Sequence, residues 1–172
     1  DTGAHLFYDN SALGYTAGGE LLLKYKADER FFGWLAYTLS RAVTQNDPTD
    51  AEHLQPWDQT HILTVLGSCR LGHGWEIGAR FRLVSGNLLT PQVCDAASET
   101  CSTTRIGGMF HGASGAYTAI PFGETNSERL PLFHQLDLRV DKAWQFAAWK
   151  LSAYLDVQNA YSNPAVEAIV YN

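Results

Sequence analysis

Apolar and polar positions alternate without a break from residue 75 to 83. Ile77, Ala79, Phe81 and Leu83 share one parity, and Glu76, Arg80 and Arg82 share the other. A period of two belongs to an extended strand, whose successive side chains point to opposite faces. The pattern returns along the chain. Residues 19–26 set Leu21, Leu23 and Tyr25 against Glu20, Lys24 and Lys26, with Leu22 the one apolar residue among the charges. Residues 31–42 set Leu35, Tyr37 and Leu39 against Ala36, Thr38 and Ser40. Residues 60–71 set Leu63 and Val65 against Thr64, Ser68 and Arg70, less cleanly, because Ile62 and Leu66 fall on the polar parity. Residues 134–142 oppose Leu136, Leu138 and Val140 to Gln135, Asp137, Arg139 and Asp141. Residues 149–161 oppose Leu151, Ala153, Leu155 and Val157 to Lys150, Ser152, Tyr154, Asp156 and Gln158.

The segments between these six runs alternate in length. Ala27-Asp28-Glu29-Arg30, Gly72-His73-Gly74 and the stretch through Gln145 and Ala147 are short, and glycine supplies the positive φ that tight hairpins need. The polar stretch 44–55 and the Gly-, Ser- and Thr-rich stretch 86–131 are long, and the second is expected as one large irregular loop. All tight turns then lie at one end of the strands and all long loops at the other. This asymmetry suits a transmembrane barrel. The runs approach the roughly 9–11 residues that cross a bilayer obliquely. The apolar parity as read here carries no charge. The polar parity collects Glu20, Lys24, Arg70, Glu76, Arg80, Arg82, Asp137, Arg139, Asp141, Lys150 and Asp156. A lysine or arginine facing mid-bilayer costs about 2–4 kcal/mol, so hydrocarbon on one side would enforce this division. Tyr25, Trp75, Trp144 and Trp149 are expected at the short-turn rim, where amphipathic rings favour the interface. The predicted fold is all-β, an antiparallel set of about six transmembrane β-barrel strands forming a partial barrel. The alternative is a soluble β-sandwich binding module, for example one for carbohydrate, because a sandwich strand alternates in the same way.

Composition narrows the functional classes. The 172 residues are 45% hydrophobic and 12% aromatic, which excludes a disordered segment. The net charge of -6 gives no basic footprint, so nucleic acid is not expected as a partner. No apolar run is long enough for a transmembrane helix, and the mean hydropathy of -0.18 does not count against a barrel, since alternating strands average out.

The residues themselves are similar to a known family. The stretches Gly33-Trp34-Leu35-Ala36-Tyr37-Thr38-Leu39-Ser40-Arg41, Trp57-Asp58-Gln59-Thr60-His61, Gly74-Trp75-Glu76-Ile77-Gly78-Ala79-Arg80-Phe81-Arg82 and Leu155-Asp156-Val157-Gln158-Asn159-Ala160-Tyr161 resemble the C-terminal barrel strands of TonB-dependent outer-membrane receptors. The last is the most specific, and the resemblance runs from about Gly19 onward. It implies an active transporter that takes a scarce ligand, such as a metal chelate, across the outer membrane with energy relayed from the inner membrane. The implied partners are outer-membrane lipid, the remaining barrel strands, a plug domain and, through that plug, a TonB-type coupling protein. Such receptors have about 22 strands and a plug, whereas residues 1–172 supply six strands and no plug domain. The expectation is therefore a C-terminal part of a receptor barrel, or a subunit whose remaining wall comes from elsewhere. Neither a leader nor an energy-coupling box is recognisable, and the closing strand with its terminal aromatic is not seen.

In a receptor lumen Arg80, Arg82, Asp137, Arg139 and Asp141 are the candidates for plug contact, with solvated lumen residues as the plain alternative. Cys94 and Cys101 are close enough in sequence for a small disulfide-closed loop in an oxidising compartment, which leaves Cys69 as an apolar-face thiol. Enzyme signals are weak, and no catalytic, cofactor or metal residue is assigned. His5, His53, His61, His73, His111 and His134 stand singly without metal-ligand spacing. Ser114 lacks a nucleophile elbow, and Asp137/Asp141 and Glu124/Glu128 show no pocket for glycosidase work. An outer-membrane enzyme on a small barrel is the third reading.

Overall fold

Each alternating run forms a strand, because the pattern fills one face with aliphatic groups and leaves the other to charges. The computed structural model describes residues 11–26, 28–93, 110–111, 117–118, 120–121 and 124–166. Among these, the long strands are β1 (Leu13–Tyr25), β2 (Phe31–Gln45), β3 (His61–Gly72), β4 (Trp75–Val84), β5 (Phe133–Gln145) and β6 (Lys150–Val157). They pair antiparallel in chain order as an open meander, with the two-residue strand His53–Leu54 folded back on the end of β2. The fold is all-β and antiparallel. β1 and β6 are edges, each paired on one side among the described residues, so no closed barrel is formed.

Register turns the one-dimensional pattern into two surfaces. Leu23, Leu35, Val65, Phe81 and Leu136 stand side by side across five strands. One residue along, Lys24, Trp34, Leu66, Arg80 and Asp137 form the matching row on the opposite face. The sheet is a single layer. Every residue of β1 and β6 is exposed, and the apolar face leaves Leu23 55%, Ile77 42%, Leu138 42% and Leu155 66% accessible. Among the described residues the buried apolar side chains lie at the long-loop end: Ala42, Val43, Val84, Leu88 and Leu130.

The β3–β4 turn works as expected from its glycines. His73 (φ 53°) and Gly74 (φ 77°) are the two central residues, both left-handed as in the primed turns that match strand twist. A side chain at Gly74 would collide with the Ala143 carbonyl of β5, whose own N–H donates to the Gly74 carbonyl at 2.7 Å.

Three expectations change. β1 begins six residues before Gly19, at Leu13, and pairs with β2 as far as Gln45. β6 ends at Val157 instead of continuing to Tyr161, because Asn159 (φ 50°) and Ser162 (φ 54°) turn left-handed and hook the segment out of the ladder, while Ala160 and Asn163 still bond to the Leu136 and His134 carbonyls further along β5. The stretch 86–131 is not one structureless loop: Leu88–Leu89 pairs with Glu128–Arg129, Gln92–Val93 with Ile120–Pro121, and Phe110–His111 with Tyr117–Thr118. Cys94, Cys101, Ser114 and His5 lie outside the described residues.

Candidate functional site

The charged face is built by register. β4 and β5 bring Arg80 directly opposite Asp137, and Arg80 donates from Nε at 2.9 Å and Nη2 at 2.6 Å to Asp137 Oδ2. The other carboxylate oxygen accepts from Gln135 Nε2 at 2.6 Å and from the Asn159 N–H at 2.9 Å, so Asp137 also pins the hook after β6. Two residues along β5, Arg139 forks onto Asp141 with bonds of 2.8 and 2.7 Å. Its guanidinium carbon lies 4.0 Å from the Tyr154 ring centre, and Nη1 is 3.9 Å from Asp156 across the β5–β6 pair. Arg70 reaches Glu76 at 3.4 Å across β3–β4. A concavity of about 350 Å³ opens among these groups, lined by Ser68, Gly78, Glu76, Arg80, Asp137 and Arg139.

All five sequence candidates therefore fall on one face, and four of them pair with each other. Arg82 differs: it makes no ion pair with the described residues, and its guanidinium lies 5.9 Å from the Phe133 ring centre. Asp141 and Asp137 are each committed to an arginine, so they are not the open carboxylate pair that glycosidic chemistry needs.

A second polar centre escaped the sequence. Asp58 is 2% exposed at the long-loop end, where its Oδ1 accepts the Ala42 N–H at 2.6 Å and its Oδ2 accepts from Thr60 Oγ1 at 2.7 Å and Arg129 Nη2 at 2.8 Å. Arg129 also donates to the carbonyls of Asp58 and Gly86 and to Thr60 Oγ1. Burial pushes the Asp58 carboxyl up, but the Ala42 N–H, the Arg129 guanidinium and the Thr60 hydroxyl outweigh it and hold the group below the usual carboxylate range. Asp58 and Arg129 are 71 residues apart in sequence, and a lone Asp-x-Thr offered no signal of the partner. The network is a clamp that sets how both long loops leave the sheet.

The apolar face is not free of charge at its ends, as the sequence had suggested. Arg41 stands on the apolar parity opposite Ala17, and Lys142 stands there between Trp75 and Ala153. The Lys142 ammonium sits 4.9 Å from the Trp75 ring centre and 5.7 Å from that of Trp144, and it donates to the His73 carbonyl in the tight turn. Tyr25 packs edge-on to Phe31 at 5.7 Å, and Phe146 stacks on Trp149 at 4.0 Å, so the short-turn rim carries a row of exposed rings. Among the described residues no three His, Cys, Asp or Glu side chains converge on a metal site. Cys69 is a half-buried thiol paired between Phe31 and Ile77 on the apolar face. Comparison of the chain with protein-family models, curated proteins and solved structures returns no match.

Proposed function

We propose that this sheet is a section of an outer-membrane β-barrel wall belonging to a TonB-dependent receptor, which takes up a scarce ligand such as a metal chelate through the long-loop side. The observation that carries the reading is the bare apolar face. Large continuous apolar surfaces on a protein mark contact with lipid or with another chain, and a soluble sandwich would cover this one with a second sheet. The other ladders among the described residues have only two residues per strand. Strand length supports the same reading. β1 to β5 have 13, 15, 12, 10 and 13 residues, against the roughly 9–11 that a tilted crossing requires. The open edges of β1 and β6 call for neighbouring strands, since unpaired backbone is costly in hydrocarbon.

In that wall the charged face turns to the lumen. Arg82, lacking an acidic partner on the sheet, is the side chain available to a plug, while the Arg80–Asp137 and Arg139–Asp141 pairs stiffen the wall. The uptake role rests on the resemblance of β2, β4 and the β6 hook to receptor strands.

Leu138 and Arg139 are adjacent and face opposite sides, which gives a direct test. In a background without the three native cysteines, Arg139→Cys in intact membranes should react with a hydrophilic maleimide and Leu138→Cys should not. Equal labelling of both would remove the bilayer from the reading. Uptake is tested separately: cells lacking the protein should lose import of one metal chelate, and restored import should stop when the proton gradient is collapsed.

A further inference from the structure

The apolar face has a sign. The sequence carries 18 acidic residues against 12 basic ones. Yet no Asp or Glu stands on the apolar parity of any of the six strands. The residues there that carry a cation or an imidazole are Arg41, His61 and His134 toward the long loops and Lys142 at the tight turns.

The long-loop group has a common construction. His61 pairs with Leu39, and Arg41 lies two residues further along β2, exposed and without an ion-pair partner among the described residues. Tyr37 Oη lies 2.8 Å from His61 Nδ1, and Tyr161 Oη lies 2.7 Å from His134 Nδ1. A tyrosine hydroxyl thus occupies the Nδ1 side of each ring and leaves Nε2 as the nitrogen directed away from the tyrosine. Tyr37, Leu63, Leu83 and His134 form one row across β2 to β5. Three strand spacings separate its ends, roughly 14 Å, which leaves room for more than one phosphate.

We infer that this rim is a binding site for acidic, phosphate-bearing lipid head groups, with Arg41 as the charge and His61 and His134 as oriented imidazoles, seated where the acyl chains run down the apolar face. The inference rests on the proposed bilayer placement. Guanidinium and imidazole N–H groups match phosphate oxygens in charge and hydrogen bonding, and the absence of carboxylates on this face removes the repulsion that an acidic protein would otherwise present.

The test uses protein extracted intact from native membranes, with any chains that accompany it, and reconstituted in phosphatidylcholine vesicles. Spin-labelled phosphatidic acid and spin-labelled phosphatidylcholine are compared by the fraction of each that the protein immobilises. The wild type should favour phosphatidic acid several-fold. Arg41→Gln, which disturbs no described contact, should lose most of that preference, and Arg41→Gln with His61→Gln and His134→Gln should lose all of it. Lys142→Gln, at the opposite rim, should keep it. Insertion of the wild type with no preference, or a preference that survives the triple substitution or vanishes with Lys142→Gln, would overturn the site and leave the bilayer reading intact. Failure of the wild type to enter any vesicle would overturn both.

Discussion

Arg80 and Asp137 stand directly opposite on β4 and β5, 57 residues apart in sequence, and two guanidinium nitrogens converge on one carboxylate oxygen. The remaining Asp137 oxygen holds Gln135 and the Asn159 N–H. Asp137→Ala leaves that N–H and the half-exposed Arg80 unpaired, and is expected to cost about 1–3 kcal/mol. Asp156→Ala, which loses only a 3.9 Å contact, should cost less than about 1 kcal/mol. Denaturant unfolding of the two variants in the same detergent gives the comparison, and equal costs would mean that Asp137 is not the hub.

The Asp58–Arg129 clamp should dominate the stability of the long-loop end. Asp58→Ala takes the carboxylate from a part-buried guanidinium and leaves the Ala42 N–H without its acceptor, and is expected to cost about 3 kcal/mol, more than any exposed ion pair on the sheet. The depressed Asp58 carboxyl also fixes a pH dependence. Its folded-state value lies below the unfolded one, so its contribution is complete above about pH 4 and is lost as pH falls through the folded-state value. Unfolding midpoints between pH 7 and pH 3 should drop more steeply in the wild type than in Asp58→Asn, and parallel curves would contradict the assignment.

Neighbouring residues on opposite faces should respond oppositely to charge. Phe81→Arg puts a cation on the apolar face in mid-strand, at a cost of about 2–4 kcal/mol if hydrocarbon lies there. Arg82→Gln removes an unpaired cation from the other face and is expected to change stability by under about 0.5 kcal/mol. Folding yield into vesicles reports both. A well-tolerated Phe81→Arg would speak for water on both sides.

The β3–β4 hairpin offers a prediction independent of the membrane. Gly74→Ala combines a left-handed φ with a collision against Ala143 and should destabilise by more than about 1 kcal/mol. His73→Gly relaxes a non-glycine residue at φ 53° and should be close to neutral. Thermal melts of the two variants distinguish them, and a neutral Gly74→Ala would show that β5 does not approach the turn this closely.

Six strands were legible because their alternation is local, and the β3–β4 turn was legible because Gly72 and Gly74 announce it. The start of β1 was hidden by Gly14, Thr16, Ala17, Gly18 and Gly19, which carry too little contrast between the faces to show a period. The end of β6 was hidden because nothing in Gln158-Asn159-Ala160-Tyr161 reveals that Asn159 turns left-handed. The five charged candidates were placed on one face correctly, since parity decides that. Their pairing was not legible, because it depends on a register between β4 and β5 that is set across the whole stretch from Val84 to Phe133. The same distance concealed Arg129 from Asp58.

That register has a further consequence for assembly. Sliding β5 by one residue would turn Arg80's neighbours inside out, and the aliphatic pattern alone forbids it. A slide of two residues keeps the greasy side greasy, so oil and water cannot detect the mistake. Opposed charge cannot either: one such slide sets Arg80 against Arg139 but Arg82 against Asp137, and the other trades Arg80–Asp137 for Glu76 against Arg139. The buried clamp can, because Arg129 bonds to Asp58 and to the Gly86 carbonyl and the Leu130 N–H to that of Asn87, so the chain enters β5 already counted off against the end of β4.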